Sequence, residues 1–283
     1  MLTYCLAPVL LQEKIISDNI TLISGTHPLG IDVSSILVSS GKEVIVFDTL
    51  FYPPETVALI QRIKDKQRNV SALVNTHWHI DHTIGNELFG SRIISQSKSG
   101  DLMKKELPKQ LKPYSGELKG ATVKLPTETF EQEMHITLGN IVLDLFHLEG
   151  HTPDSIVAYI KDSQVLIAGD TVMELPFMAY GNSARLVSSL EEIEKLNVSQ
   201  VIQGHGGACE VEKLREDIGY LESIQDRVRR AITSGMSIDD VVNLPIEGFL
   251  SERRSKNLHP AYKEAIHKEN MRKIYKELSE SQS

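Results

Sequence analysis

NTHWHIDHTIGN, residues Asn75 to Asn86, sets three histidines and an aspartate within six consecutive positions, in a chain with ten histidines in all. The pattern is His77, His79, Asp81, His82. Packing such groups together without a counter-ion crowds imidazoles that repel once protonated. Imidazole and carboxylate are also the donor set of zinc and related divalent metals. The run before the cluster, VSALVNT (Val70 to Thr76), is apolar and rich in strand formers, so the motif opens where a buried strand ends.

Three further sites repeat that arrangement: Gly150-His151 after MHITLGNIVLDLFHL, Gly169-Asp170 at the end of QVLIAGD, and Gly204-His205 within QVIQGHGG. A single histidine after a strand is ordinarily a structural or surface residue. His27, His135, His259 and His267 are read that way, and His147 as a core or rim residue. Asp170 alone would serve as a helix cap, and His205 alone as a turn residue. Taken with the cluster they make seven candidate ligands. Seven are too many for one tetrahedral ion and suit two adjacent ions, bridged by a carboxylate or a hydroxide.

The rest of the chain supplies a frame for such a rim. NITLISG, VSSILVSS and EVIVFDT are short β-branched runs bounded by turn residues and read as strands. Pro53-Pro54 opens ETVALIQRIKDKQ, whose apolar residues recur at helical spacing. SRIIS is another strand. The polar, Lys-rich stretch from Gln96 to Thr127 reads as a surface excursion of helix and loop. Strands resume at Met134, with Gly139-Asn140 as a hairpin turn, followed by SIVAYI and QVLIAGD. A helix follows from Asn182 to Asn197, capped by Asn182 or Ser183. From Glu210 the pattern is helical, with further helices near Ser237 and from about Pro260 to Leu278. Strands, helix, strands and helix predict an α/β sandwich with helices on its outer faces. The expected division is a catalytic domain over 1–208 and a helical extension over 209–283 packed on it. Ile266, Ile274, Tyr275 and Leu278 form a stripe that needs a partner surface. That extension is expected to cover one side of the cleft, to form a homodimer surface, or both.

Composition narrows the function classes. The net charge is −8 and the pI about 5.7, without the basic footprint of a nucleic-acid binder. Arg227 to Arg230 reads as a solvated helix face. No apolar run approaches the ~20 residues that span a bilayer, so no membrane partner is expected. MLTYCLAPVLLQEK has no basic segment before its apolar stretch and is read as mature protein. Two cysteines, Cys5 and Cys209, form no disulfide framework, and a cytoplasmic setting is the expectation.

THWHIDH followed by GH, GD and GH resembles the metallo-β-lactamase-fold hydrolase superfamily, over roughly Ile20 to Gly207. The resemblance implies a four-layer αββα sandwich with metals at one edge. It implies that His77, His79 and His151 hold one metal, that Asp81, His82 and His205 hold the second, and that Asp170 bridges them. It further implies two Zn²⁺ per chain, although iron or manganese can occupy the same set. Asp170 in IAGDT departs from true β-lactamases, which usually lack it. Glyoxalase-II-type thioesterases and N-acyl homoserine lactone lactonases keep it. Those families commonly show Gly-Gly before the asparagine, where this chain has Ile84-Gly85-Asn86.

Such a centre lowers the pKa of a shared water, and the bridging hydroxide attacks a carbonyl carbon or phosphorus. No side-chain nucleophile is needed, so neither Ser155 nor Cys209 is nominated. Asp81 is the catalytic candidate, both ligand and orienting group. The expected activity is hydrolysis of an ester, lactone, thioester or related bond in a small molecule, with promiscuity in view. Phosphodiester or phosphotriester hydrolysis is an alternative. The rival class is a mononuclear iron persulfide dioxygenase. MELPFMAYGN, just past Asp170, is either an apolar wall beside the metals or simple loop packing.

Overall fold

A computed structural model describes residues 11–90, 92–250 and 260–280. The N-terminal stretch with Cys5, and His259, lie outside them. One sheet runs in chain order: β1 (Gln12–Ser17), β2 (Ile20–Thr26), β3 (Asp32–Ser40), β4 (Glu43–Phe47), β5 (Asn69–Val74), β6 (Ile93–Gln96) and β7 (Glu128–Phe130). Pairing is antiparallel up to β4 and parallel beyond it. The switch to parallel pairing needs crossovers. α1 (Pro53–Asp65) links β4 to β5, and α3 (Ser99–Leu111) lies between β6 and β7. The second sheet comprises β8 (Glu133–Leu138), β9 (Ile141–His147), β10 (Ile156–Ile160), β11 (Val165–Gly169), β12 (Gln200–Gln203) and β13 (Ala208–Cys209), ordered β13-β12-β11-β10-β9-β8. The β8–β9 hairpin turns at Gly139-Asn140 as the sequence predicts.

Three apolar layers separate four layers of structure. Ile45 and Phe47 of β4 point between the sheets, onto Leu143, Leu145 and Ile167 of the second. Val44 and Val46 point the other way, onto Leu59 and Ile63 of α1 and Met103 and Leu107 of α3. With both faces covered, β4 reads as an unbroken apolar run instead of an alternating one. Each such fully buried side chain contributes about 1.5–3 kcal/mol. The outer face of the second sheet packs on α4 (Ser183–Glu194), α5 (Glu212–Thr233) and α7 (Pro260–Glu280), through Leu186, Leu190, Leu221, Ile224, Met271 and Ile274. This is the αββα sandwich. Ile266, Tyr275 and Leu278 pack against the same cluster, so the stripe on α7 finds its partner within the chain. α6 (Ile238–Val242) starts at Ser237 with a capping box, and Asn182 caps α4 through Arg185 N (2.9 Å).

The strands absent from the sequence reading sit at edges. β1, QEKIIS, is mostly exposed and carries no apolar alternation. β7 and β13 have three and two residues. Arg229 and Arg230 are solvated and pair with Asp226, while Val228 just before them is buried. No helix among the described residues is long and apolar enough to cross a membrane.

At one rim the sheets are bonded directly to each other. Ile156 N–H donates to the Thr76 carbonyl (2.9 Å), and Ser34 N–H to the Gly204 carbonyl (2.8 Å). At the opposite rim a pocket of about 90 Å³ lies between the sheets, beside Ser17, Asn140 and Ser163.

Candidate metal centre

All seven candidate ligands reach the bonded rim, and all are buried. The chain leaves β5 at Val74, and α2 (Ile80–Thr83), a single helical turn, sets Asp81 and His82 side by side. His151 follows β9, Asp170 ends β11, and His205 follows β12. Two groups result: His77, His79, His151 and Asp170 in one, and Asp81, His82 and His205 in the other. In the first, His79 Nδ1 lies 3.0 Å from both His77 Nε2 and His151 Nε2. In the second, Asp81 Oδ2 lies 3.4 Å from His82 Nε2 and 3.2 Å from His205 Nε2. Asp170 reaches across both. Its Oδ2 is 3.4 Å from His151 Nε2 and from His205 Nε2, and its Oδ1 is 3.4 Å from His82 Nε2. The backbone comes so close here that a Cβ on Gly204 would stand 1.9 Å from Asp170 Oδ1, which fixes glycine at that position.

Outer partners fix which nitrogen faces inward. His151 Nδ1 donates to Phe177 O (2.6 Å) and His205 Nδ1 to Asp32 O (2.5 Å). His82 Nδ1 meets Asp48 Oδ2 at 2.9 Å. Thr76 Oγ1 donates to that same carboxylate (2.6 Å) and so accepts from His77 Nδ1 (3.0 Å). The Nε2 lone pairs of His77, His82, His151 and His205 therefore point into the centre. His79 Nδ1–H can satisfy one of its two nitrogen neighbours and not both. His82 Nε2 and Asp170 Oδ1 have no hydrogen-bond partner among the described residues although both are buried. Converging, unsatisfied donor atoms of this kind fit divalent cations.

The electrostatics agree. Burial disfavours the charged form of His82 and His205, but Asp81 and Asp170, with Asp48 at His82, outweigh it and hold both imidazoles well above their ordinary range. Burial likewise opposes ionisation of Asp81 and Asp170, and the facing His82 and His205 overcome it, keeping both carboxyls well below theirs. Burial lowers His77, His79 and His151, which stay neutral. Neutral imidazole and ionised carboxylate are the forms that ligate metals, so His77, His79, His151 and both carboxylates stand ready for a cation, whereas His82 and His205 would release a proton on binding one.

A cleft of about 330 Å³ opens over the centre. Leu29 and Ile31 wall one side; Phe177 and Tyr180 wall another, with Tyr262 and Ile266 of α7 beside them. The Gln96–Thr127 excursion contributes Lys109, Pro113 and Tyr114. MELPFMAYGN is thus both packing and wall: Leu175 and Met178 are buried beneath, while Met173, Phe177 and Tyr180 line the cleft.

One histidine outside the two groups departs from its sequence reading, and the other described ones keep theirs. His27, taken as structural, lines the cleft, its ring 6.0 Å from that of His205. Burial lowers its pKa. His147 is a rim residue bonded to Pro153 O (2.9 Å), and His135 pairs with Asp144 on the surface. His267 is a core residue, between Tyr220 OH (3.1 Å) and Leu244 O (3.2 Å). Ser155 Oγ accepts Thr152 N–H (3.0 Å) and braces the His151 turn. Ile84 is buried in the outer core with an ordinary helical φ of −60°, so no glycine is needed there. Gly85 is needed, since a Cβ would meet Thr49 Cβ at 2.8 Å. Asp48, with φ 58°, is marked in the sequence by VFDT, which repeats the strand-end acid of AGDT.

A buried double cluster of imidazole and carboxylate at the strand ends of an αββα sandwich defines a metallohydrolase architecture. The sequence profile of the metallo-beta-lactamase superfamily matches residues 29–205. The chain belongs to that superfamily. It is 22% identical over 244 residues to the Beta-lactamase-like protein 2 homolog of Caenorhabditis elegans, covering 83% of this chain and 76% of that one. It is 28% identical over 181 residues to Hydroxyacylglutathione hydrolase GloC of Haemophilus influenzae, covering 60% and 84%. Among solved structures, the metallo-beta-lactamase from Pontibacter korlensis superposes with a TM-score of 0.66 at 19% identity, over 75% of this chain and 99% of that one, a likeness of fold.

Proposed function

We propose that this protein is a dinuclear zinc hydrolase cleaving an ester, lactone or thioester whose acyl or leaving group is apolar. The observation that carries the reading is Asp170, one buried carboxylate reaching both ligand groups at the floor of an apolar cleft. His77, His79 and His151 would hold one ion, and Asp81, His82 and His205 the other, with Asp170 shared. A donor set of histidine and carboxylate favours zinc, with iron or manganese able to use it. When bound, two such cations acidify a shared water and polarise the substrate's carbonyl.

The chain's own groups supply the rest. Asp81 stays ionised and faces the cleft, where it can orient the attacking water as well as ligate. Phe177, Tyr180 and Ile266 exclude bulk water and seat the apolar part of a small substrate. Kinship with a hydroxyacylglutathione hydrolase supports a thioester or ester over a β-lactam. A mononuclear iron dioxygenase would use the first group and leave Asp81, His82 and His205 without a purpose.

The test is metal quantification paired with a panel of aryl esters, acyl lactones, thioesters, phosphodiesters, phosphotriesters and β-lactams. Two zinc ions per chain and activity on the first three are expected, lost on chelation and restored by Zn²⁺ or Mn²⁺. One iron per chain, or full activity after exhaustive chelation, would overturn the proposal.

A further inference from the structure

The loop joining β11 to α4 (residues 170–182) has no regular secondary structure, yet it carries both the cleft wall and the carbonyl that orients His151. Its buried main-chain groups must find partners outside a ladder. Two find them on one side chain of the C-terminal helix. Asn270, fully buried on α7, donates from Nδ2 to Pro176 O (2.6 Å) and accepts at Oδ1 from Met178 N (3.3 Å). The amide imitates a neighbouring strand, gripping the residues on either side of Phe177. Between those grips, Phe177 O receives the proton of His151 Nδ1 at 2.6 Å. Tyr220 OH on α5 holds the same amide at 3.3 Å and fixes its orientation.

Resting on the two-metal reading above, we propose that Asn270 is a positioning residue for the first metal: through Phe177 O, α7 sets the orientation of His151 and so the affinity of the His77–His79–His151 half. The other half has no tie to Asn270 among the described residues. His82 is held by Asp48, and His205 by Asp32 O. Loss of Asn270 therefore acts on one half, where a general loosening of the helical layer acts on both.

The experiment is Co²⁺ titration of the full metal-free chain against a competing chelator, followed by its visible spectrum. His151→Ala identifies the spectral step that belongs to the first half. Asn270→Ala is expected to weaken that step by about tenfold or more, the range of outer-partner losses, and to leave the other unchanged. Asn270→Asp keeps the shape and the acceptor for Met178 N, and gives a second reading if the alanine variant folds poorly. Ser183→Ala removes a different tie to α7, the contact of Ser183 Oγ with Glu277 (2.7 Å), and is expected to leave both steps in place. Two unaltered steps in both Asn270 variants, or equal weakening of both steps, would overturn the inference. A wild-type chain that takes fewer than two ions overturns the two-metal reading itself, which is visible before any variant is made.

Discussion

Asp48 Oδ2 stands 2.9 Å from His82 Nδ1, and the same carboxylate receives Thr76 N–H at 2.7 Å and Thr76 Oγ1 at 2.6 Å. Thr76 Oγ1 in turn meets His77. One buried anion thus orients an imidazole from each of the two groups. Asp48→Ala is expected to weaken both metals together and to destabilise the fold by about 3–5 kcal/mol, the usual result of removing one member of a buried pair. Denaturant melts and metal titration measure both effects. A selective loss of one ion would contradict the shared anchor.

The pH response of the metal-free protein follows from the same charges. His82 and His205 are raised in the fold, so their contribution is present below about pH 6.5 and is lost as pH climbs through the folded values. Protons and cations also compete for those nitrogens. The gap in Tm between zinc-loaded and stripped protein is therefore expected to widen from about pH 6 toward about pH 9. A gap that narrows over that range would refute the pairing.

Asp154 pushes stability in the same direction, at lower pH. Burial pushes its carboxyl up from 3.8 to about 6, against the Ser99 and Thr152 hydroxyls that favour the anion. The folded chain then holds a proton that the unfolded chain releases. Stability falls between about pH 4 and pH 6 and stays lower above, by on the order of 3 kcal/mol for a shift of this size. Asp154→Asn keeps an acceptor for Thr152 without the charge. It is expected to stabilise at neutral pH and to have little effect near pH 4, read from paired melts.

Ile84 stands where the resemblance to thioesterase- and lactonase-type families leads to the expectation of glycine. Because it is buried among the outer-core side chains, Ile84→Gly is expected to cost about 3–5 kcal/mol in stability. Metal content at low temperature should remain unchanged. Loss of metal without loss of stability would mean that the residue acts on the ligands after all.

The wall of the cleft should set selectivity. Phe177→Ala is expected to lower kcat/KM for long-chain or aryl esters by roughly tenfold relative to acetyl esters, given what a few buried methylenes contribute to discrimination. Equal losses across chain length would move the specificity pocket elsewhere.

The sandwich was legible because β4, β10 and β11 are buried on both faces and read as continuous apolar runs, while β8 and β9 alternate around a hairpin turn. The residues that converge at the rim were legible because each follows a strand. Three of the four edge strands were not: β1 is polar, and β7 and β13 are too short for a pattern. His27 was missed because a lone histidine in a turn carries no signal of what lies across a cleft. Asn270 sits 100 residues after Asp170, and nothing in its neighbours marks it as the partner of Pro176 and Met178.

The bonds from Ile156 to Thr76 and from Ser34 to Gly204 make the metal rim the spine of a book whose pages are the two sheets. The far edge, near Asn140 and Ser163, is joined by the side-chain contact of Ser40 Oγ with Asn140 Oδ1 (3.4 Å) and flanks the small pocket between the sheets. Amides at the spine should be the last to exchange with deuterium. The far edge is where a tag, a fusion or an inserted loop can be placed without reaching the chemistry.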